Sequence, residues 1–388
     1  MSEEVNMPKT IQIAAVQMDA NPAPTDERLE RADLLVTEAA QEGAHLVVLP
    51  ELFNTGYAYT DENHLRAEMM NGPTVAWMRD AAIRLNIHLA GSLMLRQGNE
   101  IYNALLLFAP DGQMWRYDKT YPWGWERGYF RGGNGTVVAE ADLGRIGMLI
   151  CWDAGHPRLW KAYAGRVDLM VVASCPPDLS NPTYHLPGDI ELTYDNLGPF
   201  FASLKDEASN VFDRTIDEQT AWLGVPAVNT VGSGSIRTPV PNGRGTLLVF
   251  AAMAPGLLKY LPQANRLEVS ADLVEGCKIV AADGKILSML SQEAGEGFTL
   301  AKVSLPDETP QPQGAQPRSP ISPITYLSSD VLLPVLVLPT YRRGVRRAWG
   351  CKVEPPRLPN WGWGALLGVA AVAGFLLGVL IGRKREER

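Results

Sequence analysis

The sequence predicts a layered α/β domain with largely buried strands, followed by a C-terminal transmembrane helix. Three observations carry this. Short apolar runs alternate with stretches at the helical period between residues 10 and 173. Hydrophobic residues make up 46% of the 388-residue chain, enough core for one large domain with an appendage. Residues 361–382 carry no charge over 22 positions, and a helix of that length spans the roughly 30 Å hydrocarbon core of a bilayer.

Residues 10–16 read as a strand. Leu29, Ala32, Leu35, Val36 and Ala39 give a helix over 25–42, and His45–Leu49 is a short apolar run ending at Pro50-Glu51. Val75, Met78, Ala82 and Leu85 mark a second helix. Asp111-Gly112 turns Leu105–Ala109 into Met114–Tyr117, and Asp283-Gly284 turns Lys278–Ala281 into Lys285–Leu290. Residues 145–150 and 167–173 are apolar strands separated by a short helix around Arg158–Tyr163. Residues 176–200 and 233–245 are rich in turn formers and are expected as loop insertions. Residues 201–223 read as helix and 224–230 as strand.

The globular part is expected to end near Leu305. Residues 306–330 contain a proline-rich linker, 331–360 a basic juxtamembrane segment with six basic residues from Arg342 to Arg357, 361–382 the span, and 383–388 a charged tail. Trp361 and Trp363 mark one membrane interface and Arg383-Lys384-Arg385 the other. The polar Met1–Lys9 offers no signal peptide, so the expected topology is a single-pass tail anchor with the catalytic domain in the cytoplasm. A net charge of −8 argues against nucleic acid as a partner. Cys151, Cys175, Cys277 and Cys351 lie far apart, without zinc spacing or a disulfide framework, which fits a reducing compartment.

Three chemically distinct residues end strand-like runs. Glu51 follows Leu46–Pro50, Lys119 follows Trp115–Asp118, and Cys151 follows Ile146–Ile150 at a corner turned by Gly155 and Pro157. Sites in layered α/β folds collect beyond the carboxyl ends of strands. There a thiol can attack, Glu51 can take its proton, and Lys119 can lower the thiol pKa and hold an oxyanion. Glu126 offers a second carboxylate. Tyr57, Trp123, Trp125 and Trp152 are candidate substrate-binding residues. Singly, each reads as well as packing or a solvated charge.

Together, four ordered segments resemble the nitrilase superfamily of carbon–nitrogen hydrolases over roughly residues 10–305. They are Ile13–Gln17, Val47–Phe53 around Glu51, Tyr117–Gly133 around Lys119 and Glu126, and Gly144–Pro157 around Cys151. The resemblance implies a four-layer αββα sandwich over residues 8–305 and a Glu51–Lys119–Cys151 triad. It also implies an oxyanion held by Lys119 and the Trp152 backbone N–H, and a thioester intermediate formed without metal or organic cofactor. A homo-oligomer, a dimer or larger, is implied as well. The chain departs from the family at Arg158, where glutamate often follows the proline, and in its aromatic-rich 120–125 loop. Asp153 leans toward an amide rather than a nitrile substrate. A nitrilase and a catalytically silent, membrane-tethered binding module remain as alternatives; an acyltransferase fits poorly with one terminal span.

Overall fold

The computed structural model describes residues 9–197 and 211–350. The expected span at 361–382 and the start of the expected helix at 201–223 lie outside them. Two sheets form the centre. In the first, Gly232–Ser233, Thr10–Asp19, Leu46–Val48, His88–Gln97, Glu100–Phe108 and Met114–Asp118 follow one another, with Gly297–Ser304 antiparallel on the N-terminal strand. In the second the order is Ile286–Leu290, Cys277–Val280, Ala227–Thr230, Leu169–Ala173, Gly144–Ile150 and Val138–Ala141.

The two-residue period of the strands divides the core. Ile13, Ala15, Leu46 and Val48 face the second sheet and pack with Ile146, Met148, Val171 and Val228. Their neighbours Ala14, Val16, Val47 and Leu49 face outward against Ala32, Val36, Met78 and Ala82 of helices Thr25–Gln41 and Pro73–Leu85. Helices Pro157–Tyr163 and Ile216–Leu223 cover the second sheet. The four-layer αββα sandwich is therefore the observed fold.

Both insertions differ from the expected loops. Residues 176–200 contain strands Thr183–Leu186 and Ile190–Leu192, and residues 233–245 contain Ser235–Pro239 and open a helix at Gly243–Met253. With Glu268–Asp272 these strands form a third sheet of four. Its second element is only four residues long, too short for a two-residue period to stand out among prolines and glycines.

The chain beyond Leu305 lies on the domain. Thr309 Oγ1 donates to Asp168, Gln316 Nε2 donates to the Pro157 carbonyl at 2.7 Å, and Ser319 Oγ donates to the Gly155 carbonyl at 3.1 Å. The helical stretch Pro323–Trp349 is long and apolar enough to cross a membrane by length and composition. Here, however, it buries Leu333, Val337, Tyr341 and Val345 in the domain. The Tyr341 hydroxyl accepts the Ile101 N–H at 3.0 Å, and Asn242 Nδ2 donates to the Leu336 carbonyl at 2.7 Å.

Arg28 holds the ends of the first two strands together. Its buried guanidinium donates to the carbonyls of Phe53 (2.6 Å), Asp19 (2.9 Å) and Asn21 (2.8 Å). Replacing it by methionine leaves those carbonyls without that donor. We expect a loss of about 3 kcal/mol in unfolding free energy, read from urea denaturation; a midpoint within error of the parent would contradict the assignment.

Candidate active site

Three strand ends converge at one edge of the sandwich. Glu51 follows the parallel strand Leu46–Val48, and its backbone N–H bonds the Ser174 carbonyl at 3.2 Å. Lys119 ends Met114–Asp118, fixed by its N–H on the Asn103 carbonyl at 2.9 Å. Cys151 ends Gly144–Ile150 and opens a short 3₁₀ turn. Its φ of +48° is left-handed, a conformation costing of order 1–3 kcal/mol for such a residue and held only where its surroundings determine it.

The Lys119 ammonium, fully buried, donates to Glu51 Oε1 at 2.7 Å and to Glu126 Oε2 and Oε1 at 2.7 and 3.0 Å. Two carboxylates around one ammonium need further donors. Glu51 receives Asn103 Nδ2 at 2.7 Å and the Cys175 N–H at 3.1 Å. Glu126 receives the Tyr57 hydroxyl at 2.5 Å and the Trp123 N–H at 2.9 Å. The Cys151 thiol is close enough to Glu51 for the two to influence each other's charge.

The electrostatics follow from burial and proximity. Burial raises the Glu51 carboxyl; Lys119 pulls it back and Glu126 pushes it up, leaving it above its usual range. Burial also drives the Cys151 thiol well above its usual range, reinforced by Glu51 and opposed by Lys119. Burial works to lower the Lys119 pKa, but Glu126 and Glu51 outweigh it and hold the ammonium well above an ordinary lysine. Burial thus favours the neutral thiol, with Glu51 beside it as the candidate proton acceptor and Lys119 held as a cation.

Cys151 opens on a cavity of about 130 Å³. Tyr57, Trp123, Trp125, Trp152 and Glu126 line it, so all eight candidate residues lie in one place. Several contributors were not legible in the sequence. Asn103 stands inside the apolar strand Glu100–Phe108, where an isolated amide was the available signal. Tyr59, Tyr184 and Phe250 carried none. Asp330, on the C-terminal helical stretch, accepts Trp152 Nε1 at 3.1 Å and bonds His156 Nε2 at 2.9 Å.

Asp153 is not among the cavity-lining residues. Its carboxylate accepts the Tyr117 hydroxyl and the Tyr121 N–H, both at 2.7 Å, and the N–H groups of Thr120 and Ile150, both at 3.3 Å. It ties the cysteine corner to the lysine loop, so its influence on substrate choice would pass through that joint.

Comparison with known proteins places this geometry. Residues 12–188 match the model of the family described as carbon–nitrogen hydrolase. A nitrilase of Pyrococcus abyssi is 29% identical over 158 residues, which span 40% of this chain and 60% of that protein. The chloroplastic omega-amidase of Arabidopsis thaliana is 30% identical over 154 residues, 36% of this chain and 42% of that one. Among solved structures, a double mutant of the amidase from Nesterenkonia sp. AN1 in complex with acrylamide superposes with a TM-score of 0.55 at 18% identity, over 76% of this chain and 91% of that one. A CN-hydrolase superfamily protein from Xanthomonas campestris gives 0.53 at 19%, with the same coverage. Residues 12–188 are thus similar to the carbon–nitrogen hydrolase family, and the solved structures share the fold. The chain spans only about half to three-fifths of the first curated relatives it matches.

With a neutral resting thiol, alkylation of Cys151 should keep accelerating as the pH is raised past 9, the ordinary thiol value. Iodoacetamide labelling, followed at the Cys151 peptide by mass spectrometry, measures this. A rate that levels off near pH 7 would mean that a thiolate already exists at rest.

Proposed function

We propose that the chain hydrolyses the carbon–nitrogen bond of a small neutral amide through a cysteine thioester. The observation that carries this reading is the buried Glu51–Lys119–Glu126 cluster set against a thiol on a strained strand end. Cys151 Sγ attacks the carbonyl carbon as its proton passes to Glu51, giving a tetrahedral oxyanion. Lys119 and the Trp152 backbone N–H stabilise that charge. Collapse breaks the C–N bond, and Glu51 returns the proton to the leaving nitrogen, releasing ammonia or an amine. Water then attacks the thioester, again giving its proton to Glu51; the C–S bond breaks and the thiol is restored. Glu126 keeps the lysine charged and in place throughout. No step requires a metal or an organic cofactor.

A nitrile is the second reading, favoured by the nitrilases among the relatives. The same thiol would add to the nitrile carbon. Ammonia release from matched amides and nitriles separates the two, and turnover of nitriles alone would reverse the assignment. Cys151→Ala should lower turnover by on the order of 10⁴-fold and remove the acyl adduct seen in intact-protein mass spectra. Glu51→Gln should give a comparable loss. Full activity in Cys151→Ala would sink the thioester mechanism.

We also assign the uncharged run 361–382 as a tether holding the domain at a membrane, with the domain on the cytoplasmic side. The full chain should then stay in the pellet after alkaline carbonate extraction of membranes; release into the supernatant would argue for a peripheral protein.

A further inference from the structure

The cavity at Cys151 has walls from two parts of the chain. The αββα domain and the third sheet supply aromatic faces, among them Tyr59, Trp125, Tyr184 and Phe250. The opposite wall comes from the C-terminal segment through Ile324, Thr325, Ser328 and Leu333. This segment is seated closely. A Cβ at Gly155 would stand 2.7 Å from Ile321 Cδ1, and one at Gly124 would stand 2.8 Å from Leu333 Cδ1, so both glycines make room for it.

The helical stretch changes to a π-turn over Ser328–Leu332, directly at the cavity. Single π-turns of this kind are frequent at functional sites. Within it, Asp330 reaches across to the Trp152 indole and to His156, whose Nδ1 lies 3.0 Å from the Trp152 carbonyl. The His156 ring is stacked on Tyr121 with centroids 3.7 Å apart. One carboxylate therefore fastens the C-terminal wall to the residue following the nucleophile.

The chemistry of the lining restricts what can sit there. Among the described residues, no arginine, lysine or histidine lines the cavity, and the sole charged lining group is Glu126. Glu126 is already saturated by Lys119, Tyr57 and Trp123. A substrate carboxylate would enter without a lining cation to meet it, among aromatic and aliphatic faces that cannot solvate it. An aromatic ring or branched alkyl group would instead meet faces suited to it.

We propose that Ile321–Leu333 is the specificity wall of this active site, selecting a neutral acyl group with an aromatic or branched apolar body, and that Asp330 is the positioning residue that locks the wall onto Trp152 and His156. This rests on the hydrolase reading. Leu333 sets the depth available to the acyl group, and Asp330 sets the position of Leu333 relative to Cys151.

Binding to the full-length Cys151→Ala protein tests the proposal without turnover. The probes are acetamide, phenylacetamide, 4-phenylbutanamide and succinamic acid, followed by calorimetry. Phenylacetamide should bind about tenfold or more tightly than acetamide, and succinamic acid no more tightly than acetamide. Leu333→Trp should reduce the phenylacetamide-to-acetamide preference about tenfold, and Leu333→Ala should shift preference toward 4-phenylbutanamide. Asp330→Asn, nearly isosteric, should weaken the phenylacetamide preference while the protein still melts cooperatively. Ratios unmoved by all three substitutions overturn the wall. Succinamic acid binding as tightly as phenylacetamide overturns the neutral-acyl selection, and so does an absence of binding by every probe. If the probes bind as expected but the parent protein releases ammonia from none of them, the hydrolase reading fails and the wall stands.

Discussion

Taking the Lys119 ammonium out of water costs several kcal/mol, and so does burying each carboxylate beside it. The surroundings of the site can be read as the compensation. Every oxygen of Glu51 and Glu126 has a donor, and those donors come from distant parts of the chain: Asn103, the Cys175 backbone, Tyr57 and the Trp123 backbone. Removing one charge would strand the others, so the sandwich must hold all the strand ends in register at once. That requirement gives a physical reason for the parallel pairing of Leu46–Val48 between its neighbours and for the buried Arg28 that pins the loop after Glu51. Burial, reinforced by Glu51 and opposed by Lys119, pushes the Cys151 thiol well above its ordinary range and so favours its protonated form, with Glu51 beside it as the proton acceptor.

Strain and electrostatics meet at the cysteine corner. A left-handed backbone at Cys151 turns the chain sharply at the strand end, and the corner would relax unless it were tied down. Asp153 supplies the tie. It accepts hydrogen bonds from both sides of the joint, from Ile150 before the nucleophile and from Tyr117, Thr120 and Tyr121 around the lysine. Nucleophile and cation are thus positioned by one carboxylate that touches neither.

What the sequence showed and what it hid have physical causes. Strand ends could be read because fully buried strands produce continuous apolar runs, and a glutamate, lysine or cysteine closing such a run stands out. The pairing of those ends could not be read from local pattern, because the contacts joining Glu51 to Lys119 and Cys151 span tens of residues; the resemblance of four ordered motifs supplied that step. Asn103 escaped because one amide in a strand says nothing about which carboxylate it meets. The third sheet escaped because its strands are short and its pairing joins residues 183–192 to 235–272. Leu305 looked like a boundary because proline-rich, polar chain follows it. Yet such chain can be laid on a surface by a few hydrogen bonds, as Thr309, Gln316 and Ser319 show.

The C-terminal helix shows why length and hydropathy alone mislead. Leu333, Val337, Tyr341 and Val345 recur at four-residue intervals and are buried, whereas Arg342, Arg343, Arg346 and Arg347 are exposed between and beyond them. A helix crossing a bilayer has no reason to keep one dry stripe and one cationic face; a helix closing over a cavity does. The dry stripe continues into Leu333 at the cavity and stops where Asp330 crosses to Trp152 and His156. A feature that reads as membrane affinity by hydropathy is, in the folded chain, an apolar stripe packed on the domain, with Leu333 at the cavity. The arginines lie on the opposite, exposed face of the helix.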